Sequence, residues 1–273
     1  MLKQRLLTAA VLIPLVVLSI LFLSTNVFAW CLAGVTILAA WEWFSIIGFN
    51  TTSQKLFTFS ALIFVSVLMS LLAVSTLLLV GSFIWVAISA LVISFAHRPL
   101  SVTLSKLFNN KNIALVMAVV VLAFFWHGAI QLHASSDLGP KQLLFAMIVV
   151  WLADTGGYFA GKRWGKIALA KAISPNKTWE GVAGALVLGL VWALLAYSLE
   201  LAVSISLFNW LVLSILALLI SIVGDLFESL FKRCYNVKDS GNLLPGHGGI
   251  LDRIDSLIAA VPVFAAGVYF LGA

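Results

Sequence analysis

Long apolar runs alternate with short polar segments along almost the whole chain. Nine of these runs have about the 20-residue length that a helix needs to cross a bilayer. They lie near residues 6–24, 27–47, 56–74, 77–96, 112–132, 142–161, 181–199, 204–231 and 252–271. The third and fourth runs almost fuse between Ala73 and Gly81, so one kinked or re-entrant element is an alternative there. The pattern predicts an all-α, polytopic integral membrane protein with about nine transmembrane helices.

Composition supports this class and excludes an ordinary soluble domain. Hydrophobic residues make up 63% of the 273 residues and charged residues only 10%, and the mean hydropathy is +1.14. The first apolar run resembles a secretory signal peptide. Because it is long and a second run follows almost at once, we expect it to be a retained span.

The basic residues predict the orientation of the spans. With the N-terminus in the cytoplasm, fifteen of the 16 Lys and Arg residues lie on that side, and only Lys141 lies outside. This predicts that loops 97–111, 162–180 and 232–251 are cytoplasmic and that the C-terminus is not. The net charge of +6 does not indicate nucleic-acid binding, because the basic residues lie in short loops between spans.

Polar chemistry is distributed unevenly between two regions. Residues 1–111 contain few polar groups and are interpreted as a membrane scaffold, while residues 112–273 are interpreted as the catalytic region. In the catalytic region, carboxylates cluster near the predicted cytoplasmic ends of four spans. Glu42, in the scaffold sequence WEWF, lies at the same level. We interpret it as a helix-end residue flanked by interfacial tryptophans rather than as a site residue.

Asp225, Glu228 and Lys232 have the i, i+3, i+7 spacing that places side chains on one helix face, with Ser229 beside them. Negative charge is unfavourable near a helix C-terminus, so these acids need another partner. Asp252 and Asp255 open the next span. Their alternative role is to complement the dipole at a helix N-terminus. Carboxylates that face each other from two helix ends suit a hard cation such as Mg²⁺.

A glycine-rich loop, KDSGNLLPGHGG, joins these two helices. Its glycines permit turns and a close approach of backbone N–H groups to an anion. They are Gly241, Gly246, Gly248 and Gly249, and the basic residues available to bind phosphate are Lys232, Arg233, Lys238 and Arg253. The alternative is an ordinary basic loop that touches anionic lipid headgroups. His247 is a candidate for a metal or phosphate contact, although a lone loop histidine more often makes neither.

A second cluster of polar residues joins the sixth and seventh spans. Asp154 is an acid at membrane depth, and Lys177 and Glu180 follow in SPNKTWEG. Gly157 and Gly161 form a GxxxG pair, for which close helix packing is the structural alternative. For Ser174 and Thr178 the alternative is capping of the seventh helix.

The stretch SLFKRCYNVKDSGNLLPGHGGILDRIDS, from Ser229 to Ser256, resembles the signature of the CDP-diacylglycerol synthases, or phosphatidate cytidylyltransferases. GDLFES, SPNKTWEG and DTGGY also resemble motifs of that family, so the resemblance covers roughly Asp154 to Ser256. It implies that CTP and phosphatidate, or phosphatidic acid, react to CDP-diacylglycerol and pyrophosphate at the cytoplasmic face of the bacterial inner membrane. It also implies Mg²⁺ dependence, with metal bound by Asp225 and Asp252.

These arguments assign the candidate site. We expect the catalytic residues to be Asp225, Asp252, Lys232 and Asp255, and the metal ligands to be Asp225, Asp252 and Glu228. The expected substrate-binding residues are Lys177, Glu180, Ser229, Arg233, Lys238, Asp239, His247, Gly248, Gly249, Arg253 and Asp154. The expected partners are CTP, phosphatidic acid and the lipid bilayer. A second cation, with K⁺ as the candidate, and a homodimer are left open.

Two other classes of protein compete with this interpretation. A cation-coupled transporter also carries intramembrane acids, but these usually lie near the bilayer midplane, often with repeat symmetry. Here no repeat is visible and the acids cluster toward one face. A structural anchor would leave the charge cluster unexplained. Pyrophosphate release that depends on CTP separates the enzyme from both.

Overall fold

The computed structural model describes residues 2–96, 106, 108–202, 204–244, 246 and 248–272. The helices in this part of the chain are α1 (Leu2–Phe22), α2 (Thr25–Ile47), α3 (Thr52–Ser70), α4 (Val74–Phe95), α5 (Lys111–His133), α6 (Gly139–Trp164), α7 (Trp179–Ser198), α8 (Leu207–Cys234) and α9 (Leu251–Leu271). Two short strands, β1 (Ala168–Ala170) and β2 (Ser174–Thr178), lie between α6 and α7.

The helices confirm the predicted membrane architecture. Among the described residues, eight helices are long and apolar enough to cross a membrane, and the apolar part of α1, Leu7–Phe22, is shorter. The third and fourth predicted spans form separate helices, α3 and α4, joined by residues 71–73. The chain is therefore a multi-pass membrane protein built almost entirely from helices.

Polar contacts between distant segments hold one end of the helix bundle together. The backbone N–H of Ala172, in the turn of the hairpin, donates to the carbonyl of Ala96 just after α4, at 3.1 Å. The Tyr235 hydroxyl, just after α8, donates to the carbonyl of Phe108 at 2.9 Å. Burial raises the pKa of this hydroxyl, so it stays protonated and can donate. These contacts gather the ends of α4 and α8 and the β-hairpin at one level.

The opposite end of the bundle is joined by neutral side chains. His133 at the end of α5 has one ring nitrogen 3.0 Å from Thr25 Oγ1 and the other 3.0 Å from the carbonyl oxygen of Ile20. The Gln142 amide of α6 donates to the carbonyl of Leu201 at 2.9 Å. Both imidazole nitrogens therefore have partners, as expected for a structural histidine.

Aromatic side chains pack the scaffold helices against α8. Trp43 of α2 meets Phe231 edge-to-face at 5.3 Å between ring centroids, and Trp85 of α4 meets Phe227 at 5.9 Å. All four side chains are almost completely buried. Because edge-to-face pairs add specific geometry to apolar burial, this cluster fixes the position of α8 relative to α2 and α4.

Helices α6 and α7 approach each other closely through glycines. A Cβ atom on Gly156 would lie 2.6 Å from the carbonyl oxygen of Gly184, and one on Gly181 would lie 2.9 Å from that of Gly157. Small residues allow such backbone contact in membranes. The glycines that this contact requires are Gly156, Gly181 and Gly184, whereas Cβ atoms on Gly157 and Gly161, the predicted GxxxG pair, would meet their nearest neighbours only at 3.8 and 3.2 Å.

The β-hairpin between α6 and α7 was not predicted. Its strands pair antiparallel, with Ala168 opposite Thr178 and Ala170 opposite Ser174. Ser174 is thus a strand residue, so the helix-cap interpretation was wrong for it. That interpretation is confirmed for Thr178, whose hydroxyl accepts a hydrogen bond from the N–H of Gly181 at 3.1 Å.

Candidate active site

The first ion pair of the candidate site joins the hairpin to α8. Lys177, on β2, forms a salt bridge with Asp225. Ser229, one helical turn after Asp225, donates its hydroxyl to Asp225 Oδ1 at 3.3 Å. About a quarter of each ion-pair side chain is exposed, 26% in both cases. The pair is therefore accessible to a ligand.

The second set of ion pairs joins α8 to α9. Lys232 Nζ lies 2.5 Å from Glu228 Oε2 and 2.8 Å from Asp252 Oδ1. The Glu228 side chain is only 3% exposed. A carboxylate buried this deeply is costly unless it is paired. Lys232 therefore stabilises two carboxylates that come from different helices.

Asp252 is held by backbone groups as well as by Lys232. It accepts hydrogen bonds from the N–H of Ser240 at 3.1 Å and from the N–H of Gly249 at 3.0 Å. It also lies in the first turn of α9, where its charge complements the helix dipole. Asp252 therefore complements the dipole of α9 and also contacts the loop and Lys232.

Two further acids complete the cluster. Asp154 of α6 is within electrostatic range of Asp225, Lys177 and Arg253. Asp255 of α9 is within range of Asp225, Lys177 and Glu228, and its Oδ1 accepts from the N–H of Ser256 at 2.6 Å. The structure thus brings together five of the predicted acids from three helices.

A cavity of about 310 Å³ opens beside this cluster. It lies between α6, the hairpin, α7 and α8. Its lining includes the polar residues Asp154, Tyr158, Ser174, Asn176 and Lys177 and the apolar residues Ala153, Leu169, Val182, Ala185 and Ile222. A lining of both kinds suits a ligand that has a charged part and an apolar part.

Other predicted substrate-binding residues lie around the cluster and not in the cavity lining. Both oxygens of Glu180 lie 3.3 Å from the N–H of Ile167, which donates to them. Arg233 Nε donates to the carbonyl of Ile173 at 3.4 Å. Both side chains thus hold the hairpin in place.

The remaining predicted substrate-binding residues lie in or next to the loop between α8 and α9. Lys238 and Asp239 are exposed in this loop, and Arg253 is exposed on the first turn of α9. Gly248 adopts a left-handed backbone conformation, φ 87°, and its carbonyl accepts from the N–H of Leu244 at 2.9 Å. His247 lies outside the described residues.

Glu42 was not assigned to the site by the sequence, yet the structure places it against the same loop. It is 3% exposed, and its Oε2 accepts from Ser240 Oγ at 3.0 Å and from the N–H of Leu251 at 2.8 Å. The available signal was a carboxyl group inside an apolar helix, which is expensive in a membrane and therefore marks a function or a specific partner.

The chemistry of these oxygen donors fits a hard divalent cation. Mg²⁺ typically takes one or two protein carboxylates and completes its shell with water and phosphate oxygens. Among the described residues no group of three or more His, Cys, Asp or Glu side chains has the arrangement of a metal site. Here Lys177 and Lys232 pair with Asp225, Glu228 and Asp252. The metal assignment to these three acids stays a prediction.

Comparison with known proteins identifies the family to which the chain belongs. Residues 3–271 match the model of the cytidylyltransferase family. The chain is 37% identical to a phosphatidate cytidylyltransferase of Haemophilus influenzae, over 99% of this chain and 100% of that protein. It is 39% identical to one of Pseudomonas aeruginosa, over 100% of this chain and 98% of that protein. The chain therefore belongs to the cytidylyltransferase family.

Proposed function

We propose that this protein is a phosphatidate cytidylyltransferase, which makes CDP-diacylglycerol and pyrophosphate from CTP and phosphatidic acid. The observation that carries the proposal is the lysine–carboxylate cluster beside a cavity that is lined by both polar and apolar residues. Full-length similarity to proteins that bear this enzyme name supports it. Asp252 and Asp255 lie in the first turns of α9, and Asp225 and Glu228 lie in the C-terminal part of α8. Asp154 lies near the middle of α6, so only the other four acids argue against a cation-coupled transporter, which usually has its acids near mid-helix.

The reaction needs positioning and charge stabilisation more than proton transfer. The phosphate monoester of phosphatidate has a second pKa near 6, by analogy with other phosphomonoesters, so it is largely dianionic at neutral pH. One of its oxygens attacks the α-phosphorus of CTP and forms a new P–O bond. The bond between the α-phosphorus and the bridging oxygen to the β-phosphate breaks, and pyrophosphate leaves with that oxygen. No general base is required.

The lysines of the cluster provide positive charge for this transfer. Lys177 lines the cavity, where its ammonium group would hold the phosphate of the lipid. Lys232 sits between α8 and α9 and would meet the phosphates of CTP. Preorganised charges of this kind stabilise the transition state because they do not have to reorient during the reaction. The apolar residues of the cavity lining would receive the start of the acyl chains.

Mg²⁺ is the proposed cofactor, and when bound it would supply positive charge to phosphate oxygens from a position at Asp225 and Asp252, with Glu228 close by. K⁺ is the candidate for an additional cation. Asp225 is accessible beside the cavity, and its pairing with Lys177 keeps the carboxylate neutralised. With a cation held by Asp225, Lys177 would be available to bind a substrate phosphate.

The proposed activity is tested with purified protein in mixed micelles. We expect pyrophosphate release that requires CTP, phosphatidate and a divalent cation together, with CDP-diacylglycerol as the lipid product. Omission of phosphatidate is the control for CTP hydrolysis, and diacylglycerol is the control for the phosphate group. Release at the same rate without phosphatidate, or no release with all components present, would refute the proposal.

We also propose that the protein lies in the bacterial inner membrane with the N-terminus and the active site in the cytoplasm. The distribution of basic residues supports this orientation. The test is labelling of single cysteines with an impermeant maleimide, after Cys31 and Cys234 have been replaced by Ser. Cysteine at exposed Lys141 should react from outside intact cells, and cysteine at exposed Lys171 should react only after lysis. The reverse pattern would invert the topology.

A further inference from the structure

The buried carboxyl group of Glu42 links the scaffold helices to the catalytic loop. Its partners, Ser240 Oγ and the N–H of Leu251, are 198 and 209 residues away in the sequence. Leu251 is the first residue of α9, and Ser240 lies in the loop that precedes it. Glu42 therefore satisfies one of the N–H groups that a helix N-terminus leaves without an intrahelical partner. It fixes the loop and the start of α9 together.

Two glycines of the loop make room for this carboxyl group. A Cβ atom on Gly241 would lie 2.7 Å from Glu42 Cδ, and one on Gly249 would lie 2.8 Å from the same atom. Neither glycine is among the residues with positive φ, unlike Gly246 and Gly248. Glycine at 241 and 249 is thus explained by the close approach of Glu42, whereas the sequence pattern alone suggested turns and anion contact.

One residue separates Glu42 from the lysine–carboxylate cluster. Ser240, which donates its hydroxyl to Glu42, donates its backbone N–H to Asp252 Oδ2 at 3.1 Å. The Ser240 hydroxyl also accepts from the N–H of Asp252 at 3.3 Å. Asp252 in turn pairs with Lys232 at 2.8 Å. A shift of Ser240 would therefore move the carboxylate that orients Lys232.

We propose that Glu42 is a positioning residue for cytidylyl transfer, because it holds Ser240 and the first turn of α9 so that Asp252 faces Lys232. The proposal rests on the proposed function. Glu42 acts through Ser240 and Leu251 and needs no contact with substrate. Removal of its side chain leaves the loop without its anchor, and a displacement of about 1 Å at a reacting group can cost about 100-fold in rate.

Steady-state kinetics of Glu42→Ala and Glu42→Gln test the role. We expect Glu42→Ala to lower kcat by about 10- to 100-fold while the KM for CTP changes less than about threefold, since alignment and not binding is lost. Glu42→Gln keeps an oxygen acceptor for both hydrogen bonds, so its kcat should recover to within about fivefold of the wild type. Thr36→Ala is the matched control, because Thr36 is a buried polar residue of α2 that bonds only within its helix, to the carbonyl of Leu32.

A double-mutant cycle with Gly241→Ala tests the contact itself. The three heavy atoms nearest to a Cβ on Gly241 all belong to Glu42. We therefore expect Gly241→Ala to lower kcat by about tenfold alone, and by less than about twofold in the Glu42→Ala background. Additive effects, a Glu42→Gln variant as slow as Glu42→Ala, or a Glu42→Ala variant within twofold of the wild type would each overturn the proposal.

A readout that does not depend on activity separates this proposal from the proposed function. Lys238 is exposed in the anchored loop, so trypsin cleavage after Lys238 should be faster in Glu42→Ala and Ser240→Ala than in the wild type. Ser240→Ala keeps the bond from Leu251 to Glu42 and remains informative if Glu42→Ala does not accumulate. A wild-type protein without pyrophosphate release would refute the function, whereas unchanged cleavage in the variants would refute the anchor.

Discussion

Serines donate within their own helix in the first four helices and in the last four, but ion pairs between elements are found in the second group. In α1 to α4, serines donate to carbonyls of their own helix, as Ser19 does to Leu15 and Ser82 to Leu78, at 2.7 and 2.9 Å. In α6 to α9 and the hairpin, charged side chains bridge separate elements, as Lys177 does to Asp225. A serine that donates to a carbonyl of its own helix needs no hydrogen-bond partner from another element in the membrane. A charge must find a partner elsewhere, so the charges determine how the elements assemble.

Burial differs between individual helices more than between the two groups, since α2 and α8 are both 39% buried over their most apolar 18 residues. Only 17% of the most apolar window of α3 is buried in the protein, against 61% for α9. The helix α3 therefore presents most of its surface to lipid, whose chains are as apolar as its side chains. Substitutions in the two groups of helices should differ in effect, and Glu42 is the point at which the N-terminal group behaves like the C-terminal one.

The largest contrast is expected for carboxylates. Asp225→Asn and Asp252→Asn should each lower kcat/KM by about 100-fold or more, since each removes a charge that preorganises a lysine and that could bind a cation. Asp137→Asn, at an exposed loop residue on the opposite end of the bundle, is the matched control and should retain full activity. The measurement is pyrophosphate release at saturating Mg²⁺. Near wild-type turnover by either properly inserted variant would remove that acid from the site.

Lys232→Ala should reduce both activity and stability. Its loss leaves Glu228, which is 2% exposed, buried without its partner, and breaking a buried ion pair costs about 3–5 kcal/mol. We expect a strongly lowered kcat and a lower Tm in detergent. The double variant Lys232→Ala/Glu228→Gln should regain most of the Tm but little kcat. If activity returned together with Tm, Lys232 would be only a structural residue.

Helix packing offers a milder contrast. Gly156→Ala places a methyl group 2.6 Å from the carbonyl oxygen of Gly184, and this overpacking should cost about 1–3 kcal/mol and separate α6 from α7. Gly34→Ala in α2 meets nothing within 4 Å and should be neutral or stabilise by up to about 1 kcal/mol. Thermal unfolding and turnover of both variants check this, and equal effects would argue against close α6–α7 contact in the membrane.

The smallest contrast concerns exposed lysines. Lys238→Ala should raise the apparent KM for CTP roughly threefold and leave kcat unchanged. This is the result expected when a substitution weakens binding of the ground state and the transition state equally. Lys55→Ala should change neither value, because Lys55 lies over the ring of Trp41 at 3.3 Å, in the scaffold. Equal modest effects of both variants, suppressed by added anionic lipid, would instead assign Lys238 to headgroup contact.

The helices were predictable because apolar length is sufficient to identify a membrane span. Their ends were not always predictable. The eighth span was predicted to end at residue 231, where the apolar run stops, but α8 continues to Cys234. This additional helical segment places Lys232 next to Asp252. The sequence could not show this contact because Asp252 belongs to another helix. Asp225, Glu228, Lys232 and Asp252 were nevertheless identified together, because charges in apolar sequence require partners.

The hairpin and Glu42 show where sequence patterns fail. Strands of three and five residues, Ala168–Ala170 and Ser174–Thr178, are too short to display alternation. Glu42 has the neighbours of an ordinary interfacial residue, and its partners lie about 200 positions away, at separations of 198 and 209 residues. Local patterns contain no information about such pairs, which depend on how α2 and α9 pack.

The link between Glu42 and Leu251 also has a consequence for biogenesis. At a synthesis rate of about 5–20 residues per second, the 209 residues between them take roughly 10–40 s to translate. During that interval α2 is already synthesised, but Ser240 and Leu251, the partners of Glu42, are not. A ribosome that stalls before α9 therefore leaves an acid in the membrane without its hydrogen-bond donors, an arrangement that is energetically expensive.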